Sequence, residues 1–315
     1  MVVCVVPTFN RRAFLEKLVI AVQNQTLKPD LFIILDNAST DSTSEYLSQI
    51  SYNQPIKIEV IRKEINLGAS LGMKFLFEEA LKRNANWIWV LDDDAIPKKD
   101  ALELLVKNKE FENPDAYILE SAIVDENDKW SEPNRPARFD KMNFSFQGLT
   151  LDEFHQAIKQ DHAIEVNTGG YNGLLIRAET FKEFGYPRSE FYLWYDDVEF
   201  VLRVSQKKKV FLIPKSQIFH FAQGLVPHET KWPFRGPLAK IPTNLIPRYY
   251  YLHRNWLVFG RQYLPSNKYI PFFIKNLARN LAAPLLLKQD KLFYRWSIEL
   301  KAALDAVTNR LGKRV

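Results

Sequence analysis

Trp87-Ile88-Trp89-Val90-Leu91-Asp92-Asp93-Asp94-Ala95-Ile96-Pro97 is the stretch on which the reading of this chain turns. Five apolar residues run without a polar break and then meet three consecutive carboxylates. A short run of that kind fits a strand buried on both faces of a sheet. Unpaired charges are too costly to bury inside such a strand, so the carboxylates belong where it leaves the sheet. In open α/β sheets that carboxyl edge is the ligand-binding edge. Hard oxygen donors gathered there suit a divalent cation holding phosphate oxygens. The plainer alternative is a solvated turn, with Asp100 capping a helix over Ala101–Lys107.

Working outward, the same grammar repeats. Val2–Val6 reads as a strand ended by Pro7-Thr8-Phe9-Asn10-Arg11, with an amphipathic helix over Arg12–Asn24. Leu31–Leu35 is a strand closed by Asp36-Asn37-Ala38-Ser39-Thr40, and Asp41-Ser42-Thr43 opens a helix. Lys57–Arg62 is a third strand. Asn66-Leu67-Gly68 is a turn, and Ser70 is placed to cap a helix through Lys82. Strand and helix alternate, so the expected class is α/β with a mostly parallel central sheet. The loops after the strands then open on one edge, bringing Thr8, Asp36, Asn66 and Asp92 together.

Beyond Glu110 the pattern loosens. Tyr117–Val124 reads as a strand and the polar Asp125–Gly148 as a long loop. Gly169-Gly170-Tyr171-Asn172-Gly173 is a turn before Leu174–Ile176. Tyr192-Leu193-Trp194-Tyr195-Asp196-Asp197-Val198-Glu199 leads into a helix through Ser205. Val210–Ile213 is a late strand, and Ile218–Phe221 surrounds His220. Five prolines between 227 and 247 mark a flap, and from Arg248 the sequence looks helical. The expected domains are 1–226, catalytic, and 227–315, the flap followed by basic, aromatic-rich helices.

Composition narrows the classes. With 46% apolar and 25% charged residues, the 315-residue chain is globular. The single cysteine, Cys4, excludes an internal disulfide and reads as core filling in a reducing compartment. No signal peptide is visible, and no run reaches the length of a spanning helix. The net charge of +6 conceals an asymmetry: residues 231–315 carry 16 Lys+Arg against 3 Asp+Glu, leaving 27 against 34 in residues 1–230. A tail this basic calls for an anionic partner.

Taken in order, Val-Val-Pro-Thr-Phe-Asn-Arg at the N-terminus, Leu-Asp-Asn-Ala-Ser-Thr-Asp, Asn-Leu-Gly, Asp-Asp-Asp and Trp-Tyr-Asp-Asp-Val-Glu resemble the blocks of an inverting family 2 glycosyltransferase of the GT-A (Rossmann-like) fold. The resemblance covers roughly residues 1–221 and is nearest the bacterial galactofuranosyl- and rhamnosyltransferase branch. It implies that Pro7, Thr8, Asn10 and Arg11 line a nucleotide pocket, that Asp36 binds the base beside Asn37, and that Asn66 and Gly68 begin the third block. That block departs from the pattern: where an Arg is usual the chain has Gly72-Met73-Lys74, and Lys74 is the candidate replacement charge. The resemblance further implies that Asp92 and Asp94 touch ribose and metal, with Asp93 among the nucleotide-sugar-binding residues.

The chemistry agrees. A nucleotide-sugar has a diphosphate leaving group whose growing charge a Mn²⁺ or Mg²⁺ ion stabilises. Asp92 and Asp94 are the expected ligands with His220 as the third, and an imidazole favours Mn²⁺. His220 read structurally is a core histidine between Phe219 and Phe221. The acceptor hydroxyl needs a base, and Asp197 is that candidate, with Asp196 positioning acceptor or base; the pair read structurally is a helix cap. Trp194 offers a flat wall for a sugar ring, or ordinary core. Gly169 and Gly170 allow close acceptor approach, or form a simple turn.

The expected activity is transfer of galactofuranose from UDP-galactofuranose to a growing cell-surface polysaccharide or lipid-linked glycan, with dTDP-rhamnose as the alternative donor. Interleaved aromatic and basic residues after Arg248 suit a bilayer interface, implying a cytoplasmic enzyme peripheral on the inner face of the membrane; an oligomer contact is the competing use. Nucleic acid is disfavoured for want of a recognition motif. A sugar nucleotidyltransferase or a dinucleotide oxidoreductase would carry a glycine-rich phosphate loop after the first strand, and Pro7-Thr8-Phe9-Asn10-Arg11 has no glycine. A non-catalytic glycan-binding protein on the same fold is the remaining class.

Overall fold

The uninterrupted apolar runs of the N-terminal half become strands whose side chains are buried on both faces. In the computed structural model, which describes residues 1–50, 55–125, 137–221, 230–231, 237–238 and 240–315, these are β1 (Val2–Thr8), β2 (Leu31–Asp36) and β4 (Trp87–Val90), while β3 (Ile58–Arg62), the edge strand Ile-Glu-Val-Ile-Arg, is only half-buried. Between them run α1 (Arg12–Gln23), α2 (Thr43–Ile50) and α3 (Ala69–Lys82). There follow β5 (Ala95–Pro97), α4 (Ala101–Val106), β6 (Ala116–Val124), β7 (Ala137–Asp140), β8 (Ser145–Gly148), α5 (Leu151–Gln160), β9 (Ile164–Val166), β10 (Leu174–Arg177), α6 (Glu179–Phe184), α7 (Asp196–Val204) and β11 (Lys209–His220).

The sheet order is β3-β2-β1-β4-β10-β6-β11-β5, with β9 against β11. β1, β2, β3, β4, β6 and β11 point one way, and β5, β9 and β10 run against them. Helices cover both faces. Met73, Leu76 and Phe77 of α3, with Phe200 and Val204 of α7, pack on one side. Leu15, Leu18 and Val22 of α1, with Leu102 and Leu105 of α4, pack on the other. Each fully buried side chain of this size stabilises the fold by about 1.5–3 kcal/mol.

Some expectations need correction. Ser70 lies inside α3 and is fully buried; the N-cap is Gly68, at φ +81°, and no side chain caps there. Asp100 occupies the N-cap of α4 but makes no side-chain cap bond. The supposed long loop 125–148 contains the β7–β8 hairpin, although 126–136 lie outside the described residues. Val210–Ile213 and Ile218–Phe221 are not separate: β11 runs through both, with a register shift between Ile213 and Gln217 where Pro214 cannot donate to the ladder. Ser216 secures that irregularity, donating to Ala101 O at 2.8 Å and meeting Ser121 Oγ at 2.7 Å. The proline-rich 227–247 segment lies mostly outside the described residues, apart from the pair Thr230–Lys231 and Pro237–Leu238 and the residues from 240 onward.

The chain divides into two compact units. One is Met1–Asp140, Ser145–Ser189 and Asp196–Phe221; the other is Lys141–Phe144, Glu190–Tyr195 and Ala222–Val315. The second is built on α8 (Ile246–Tyr263), α9 (Ser266–Leu286) and α10 (Leu292–Val307). Its segment 190–195 is held by two wholly buried side chains of α8. Arg254 donates to Phe191 O at 2.8 Å and Gly312 O at 2.8 Å. Asn255 Nδ2 reaches the carbonyls of Phe191, Leu193 and Trp194 at 3.0, 2.8 and 2.9 Å. These bonds hold Tyr192, Trp194 and Tyr195 at φ of 66–69°, a region that non-glycine residues adopt only when their surroundings impose it.

Candidate active site

Three turns meet at the carboxyl edge of the parallel half of the sheet. Thr8 and Asp36 are register partners at the ends of β1 and β2. Thr8 Oγ1 donates to Asp93 Oδ2 at 2.8 Å, tying the end of β1 to the acidic turn after β4. Arg11 Nη1 bridges that turn, 2.7 Å from Asp93 Oδ1 and 2.7 Å from Asp94 Oδ2. β11 brings in the fourth group. Its last residues pair antiparallel with β5, His220 opposite Ala95, which sets His220 Nε2 3.2 Å from Asp94 Oδ1. One ligand atom each from Asp92, Asp94 and His220 lie within 4.8 Å of one another.

Asp196 and Asp197 open α7. Asp196 is buried, facing the hydroxyls of Ser70 and Tyr171. Asp197 Oδ1 accepts Val198 N–H at 2.7 Å, and its Oδ2 lies over Gly170, where a Cβ would approach to 3.3 Å. Burial, then the charges of Asp94 and Asp93, push Asp92 up to about 7, despite the opposing pull of His220. Asp197 is also raised to about 7, by burial and by Asp196. Asp196 rises to about 6, through burial and the charge of Asp92 against the opposing hydroxyls. Asp93 rises to about 6 by burial, with Arg11 opposing. For Asp94 burial acts upward, but His220 and Arg11 outweigh it and hold the carboxyl below its usual value. Burial acts to lower the His220 pKa, and Asp94 outweighs it, raising the imidazole above its ordinary value. The field of Asp197 reaches Asp92, so the two acidic groups share one electrostatic site.

The glycosyl transferase family 2 profile matches residues 3–175, more than half of the chain. The chain belongs to glycosyl transferase family 2. Galactofuranosyltransferase GlfT1 of Mycolicibacterium smegmatis is 28% identical over 200 residues, covering 63% of this chain and 63% of that enzyme. The chain therefore matches less than two thirds of that relative's length. S. aureus TarS 1–349, in complex with UDP-GlcNAc, superposes with a TM-score of 0.57 at 14% identity, over 98% of this chain and 82% of that one. Mannosyltransferase PcManGT of Pyrobaculum calidifontis, solved with GDP-Man and Mn2+, gives 0.55 at 13% identity, over 98% and 87%. At these identities the structural likeness establishes the GT-A arrangement of the sheet.

Within this family 2 chain the donor set fits a divalent cation. Two carboxylates and an imidazole converge closely enough to hold one ion between them. Arg11 already pairs with one oxygen of Asp94, so compensation of the ion's charge falls chiefly to Asp92 and to the second oxygen of Asp94.

Other expected residues serve the loops that carry the site. Asn10 Oδ1 accepts Thr40 N–H at 2.7 Å and its amide reaches Thr40 Oγ1 at 3.1 Å, stitching the first loop to the second. Asn37 Nδ2 donates to Asn66 Oδ1 at 3.1 Å and Gly68 O at 3.2 Å, and its Oδ1 accepts Leu67 N–H at 2.9 Å. Asp36 accepts from Ser39 N, Ser44 Oγ and Arg62 Nη1 at 2.9, 2.6 and 2.9 Å, while keeping lone-pair capacity for a further donor. Pro7 sits in β1 opposite Leu35. Lys74 pairs with Glu78 at 3.8 Å and faces the Tyr186 ring at 5.7 Å, neither of which belongs to the acidic cluster. Trp194 belongs with the C-terminal unit, where Arg248 sits 5.5 Å over its ring and Tyr249 meets it edge-on.

Sequence reading passed over Glu120. It lies within β6, buried between β10 and β11, and its Oε2 has no hydrogen-bond partner among the described residues. A Cβ on Gly169 would fall 2.8 and 2.9 Å from the two carboxylate oxygens, so Glu120 explains that glycine as directly as any acceptor does. Burial drives its pKa well above the ordinary value, against the pull of the Gly170 N–H, and Asp197 drives it further. Glu120 thus lies against Gly169, and Asp197 against the neighbouring Gly170. The available signal was the acid itself, alone in Ala-Tyr-Ile-Leu-Glu-Ser-Ala-Ile-Val. Gly169→Ala is expected to cost about 1–3 kcal/mol by overpacking. The same change should cost little in a Glu120→Ala background, a coupling that thermal unfolding of the double-mutant cycle measures.

Proposed function

We propose that this chain is a metal-dependent inverting glycosyltransferase. Its preferred donor is UDP-galactofuranose, ahead of dTDP-rhamnose, and its acceptor is a hydroxyl of a cell-surface or lipid-linked glycan. The observation that carries the reading is the convergence of Asp92, Asp94 and His220 at the sheet edge, in the electrostatic reach of an Asp197 carboxyl raised to about 7. The choice of galactofuranose leans on the GlfT1 likeness, and the choice of Mn²⁺ on the imidazole in the donor set and on the ion bound by PcManGT.

The division of labour follows. Asp92, Asp94 and His220 would hold the cation, which when bound acts as a Lewis acid toward the diphosphate leaving group. Thr8 and Arg11 fix the acidic turn, and Asp36 and the Asn37–Asn66 pair shape the nucleotide pocket. Asp197 accepts the proton of the attacking hydroxyl as it adds to the anomeric carbon opposite the departing diphosphate. Its raised pKa makes it a stronger base than an ordinary carboxylate while leaving it substantially ionised near neutral pH. Gly170 keeps the face of that carboxylate clear of side chain. Asp196 positions the base through its charge, which helps raise the Asp197 carboxyl. The excess of cations after residue 231 supports a working position at the inner face of a membrane.

Purified protein with Mn²⁺ is to be screened against UDP-galactofuranose, dTDP-rhamnose, UDP-glucose and UDP-GlcNAc, reading nucleotide release. Release is expected from UDP-galactofuranose first. Release from none of them would mark a binding protein and overturn the proposal.

A further inference from the structure

α10 is built inside out. A helix on a globular surface normally turns its apolar stripe inward and its charges to water. Here Arg295, Glu299 and Asp305 face inward among the alanines 302, 303 and 306. The inward charges are satisfied: Glu299 meets His253 and accepts Asn280 Nδ2 at 2.9 Å, Asp305 accepts Tyr250 OH at 2.5 Å and Lys301 Nζ at 3.1 Å, and Arg295 reaches Asp290 Oδ1 at 2.7 Å. The outward stripe is Phe293, Leu300, Leu304 and Val307, at helical spacing, with Phe293 83% and Leu304 56% exposed. α9 adds exposed Ile270 and Ile274 near its start and Leu285 and Leu286 at its end.

The charge around this apolar surface has one sign. Residues 231–315 contain three acids: Glu299 and Asp305 are buried, and Asp290 is ion-paired to Arg295. Lys268, Lys275, Lys288, Lys291, Arg310 and Lys313 are exposed. A second copy docked on this face would set cations against cations. Exposed large apolar side chains bordered by cations match the interface of an anionic bilayer, where the apolar groups enter the acyl boundary and the cations meet headgroup phosphates. No helix among the described residues is long and apolar enough to cross a membrane, so the contact is in the plane.

We propose that the outward face of α10, with the exposed residues of α9, docks this protein on an anionic phospholipid surface. Its purpose, holding the enzyme beside a lipid-linked acceptor, rests on the transferase reading; the binding itself does not. The test is co-sedimentation of the full chain with phosphatidylcholine vesicles containing 0 or about 30% phosphatidylglycerol, with oligomeric state read in parallel by light scattering. Wild type is expected to bind the anionic vesicles at least tenfold more tightly than the neutral ones, and less so at high salt. Leu300→Glu/Leu304→Glu, at exposed positions, should lose at least tenfold in vesicle affinity while keeping its melting temperature and donor turnover. Lys288→Glu/Lys291→Glu should weaken only the anionic-vesicle binding. Wild type failing to bind, both double variants binding as well as wild type, or a wild-type dimer that Leu300→Glu/Leu304→Glu dissociates would overturn the proposal. Vesicle binding without turnover of any donor would leave the docking surface standing and sink the transferase reading instead.

Discussion

Asp197→Asn is expected to reduce nucleotide release from the preferred donor by about 10³-fold, with donor affinity changed less than about threefold. The amide keeps the size of the carboxylate and can still accept the Val198 N–H, so the start of α7 stays formed. What is lost is the acceptor for the substrate proton, and a positioned general base contributes about 10²–10⁴ in rate. Wild-type turnover should also carry the signature of the group. Asp197 is raised to about 7 by burial and by Asp196, and only its ionised form is a base. The rate therefore rises with pH up to about 7 and levels off above it. Asp196→Asn removes the neighbouring negative charge that helps hold the Asp197 proton, so the acidic limb should move to lower pH with the plateau largely retained. If instead Asp196→Asn abolishes turnover while Asp197→Asn leaves a normal profile, the two carboxylates have exchanged roles. If both variants turn over as wild type, neither is the base.

The parallel half of the fold was legible because β1, β2 and β4 are buried on both faces, so each is an apolar run ended by a polar loop. Val2–Thr8, Leu31–Asp36 and Trp87–Val90 all follow that form. The second half was less legible for a physical reason. β9 and β5 have three residues each and take their conformation from pairing with β11. β11 itself is split in sequence by Pro214, yet the tertiary pairing with β6 carries it across the break and delivers His220 to Asp94. The acids were visible as chemistry, and their partners were not. Nothing local in Asn-Leu-Gly says that Asn66 meets Asn37, or that Ser70 faces Asp196 instead of capping its own helix. Glu120 escaped because a residue inside a strand belongs to no loop motif; only the cost of burying a charge singles it out. The roles given to Asp36, Asn37 and Asn66 therefore divide between ligand contact, which the resemblance implied, and loop bracing, which the hydrogen bonds supply.

The second large effect concerns the cation and is readable without a substrate. Asp92 and Asp197 are raised to about 7, and Asp93 and Asp196 to about 6. In the unfolded chain these carboxyls titrate near 4, as aspartates ordinarily do. Between those limits the native state binds more protons than the unfolded one, so stability falls as pH rises from about 4 through 7. His220, whose pKa is raised, acts in the same direction: its contribution is present while the unfolded imidazole is protonated and is lost as pH climbs through the folded value. Asp94, held below its usual value, opposes them, contributing stability above the unfolded carboxyl range and losing it as pH falls through its folded value. Acids held below the usual range, Asp94 among them, are ionised in both states above pH 5.5 and add no slope there, whereas Asp92, Asp93, Asp196, Asp197 and Glu120 are all raised, so the metal-free protein should melt at a lower temperature at pH 8 than at pH 5.5. A divalent cation reverses this, because it binds the deprotonated cluster. At pH 8, Mn²⁺ at about 100 times its dissociation constant should raise the melting temperature by about 5 °C, from a binding contribution of about 2.7 kcal/mol, and should do less at pH 5.5, where Asp92 and His220 hold protons that the ion must displace. Asp94→Ala or His220→Ala should remove the Mn²⁺ increment and lower donor turnover by at least about 10²-fold. Asp94→Ala also leaves Arg11 with Asp93 as its remaining carboxylate, so the His220→Ala variant is the cleaner arm. A Mn²⁺ increment that survives His220→Ala would place the ion on carboxylates alone, and the case for manganese over magnesium would go with it.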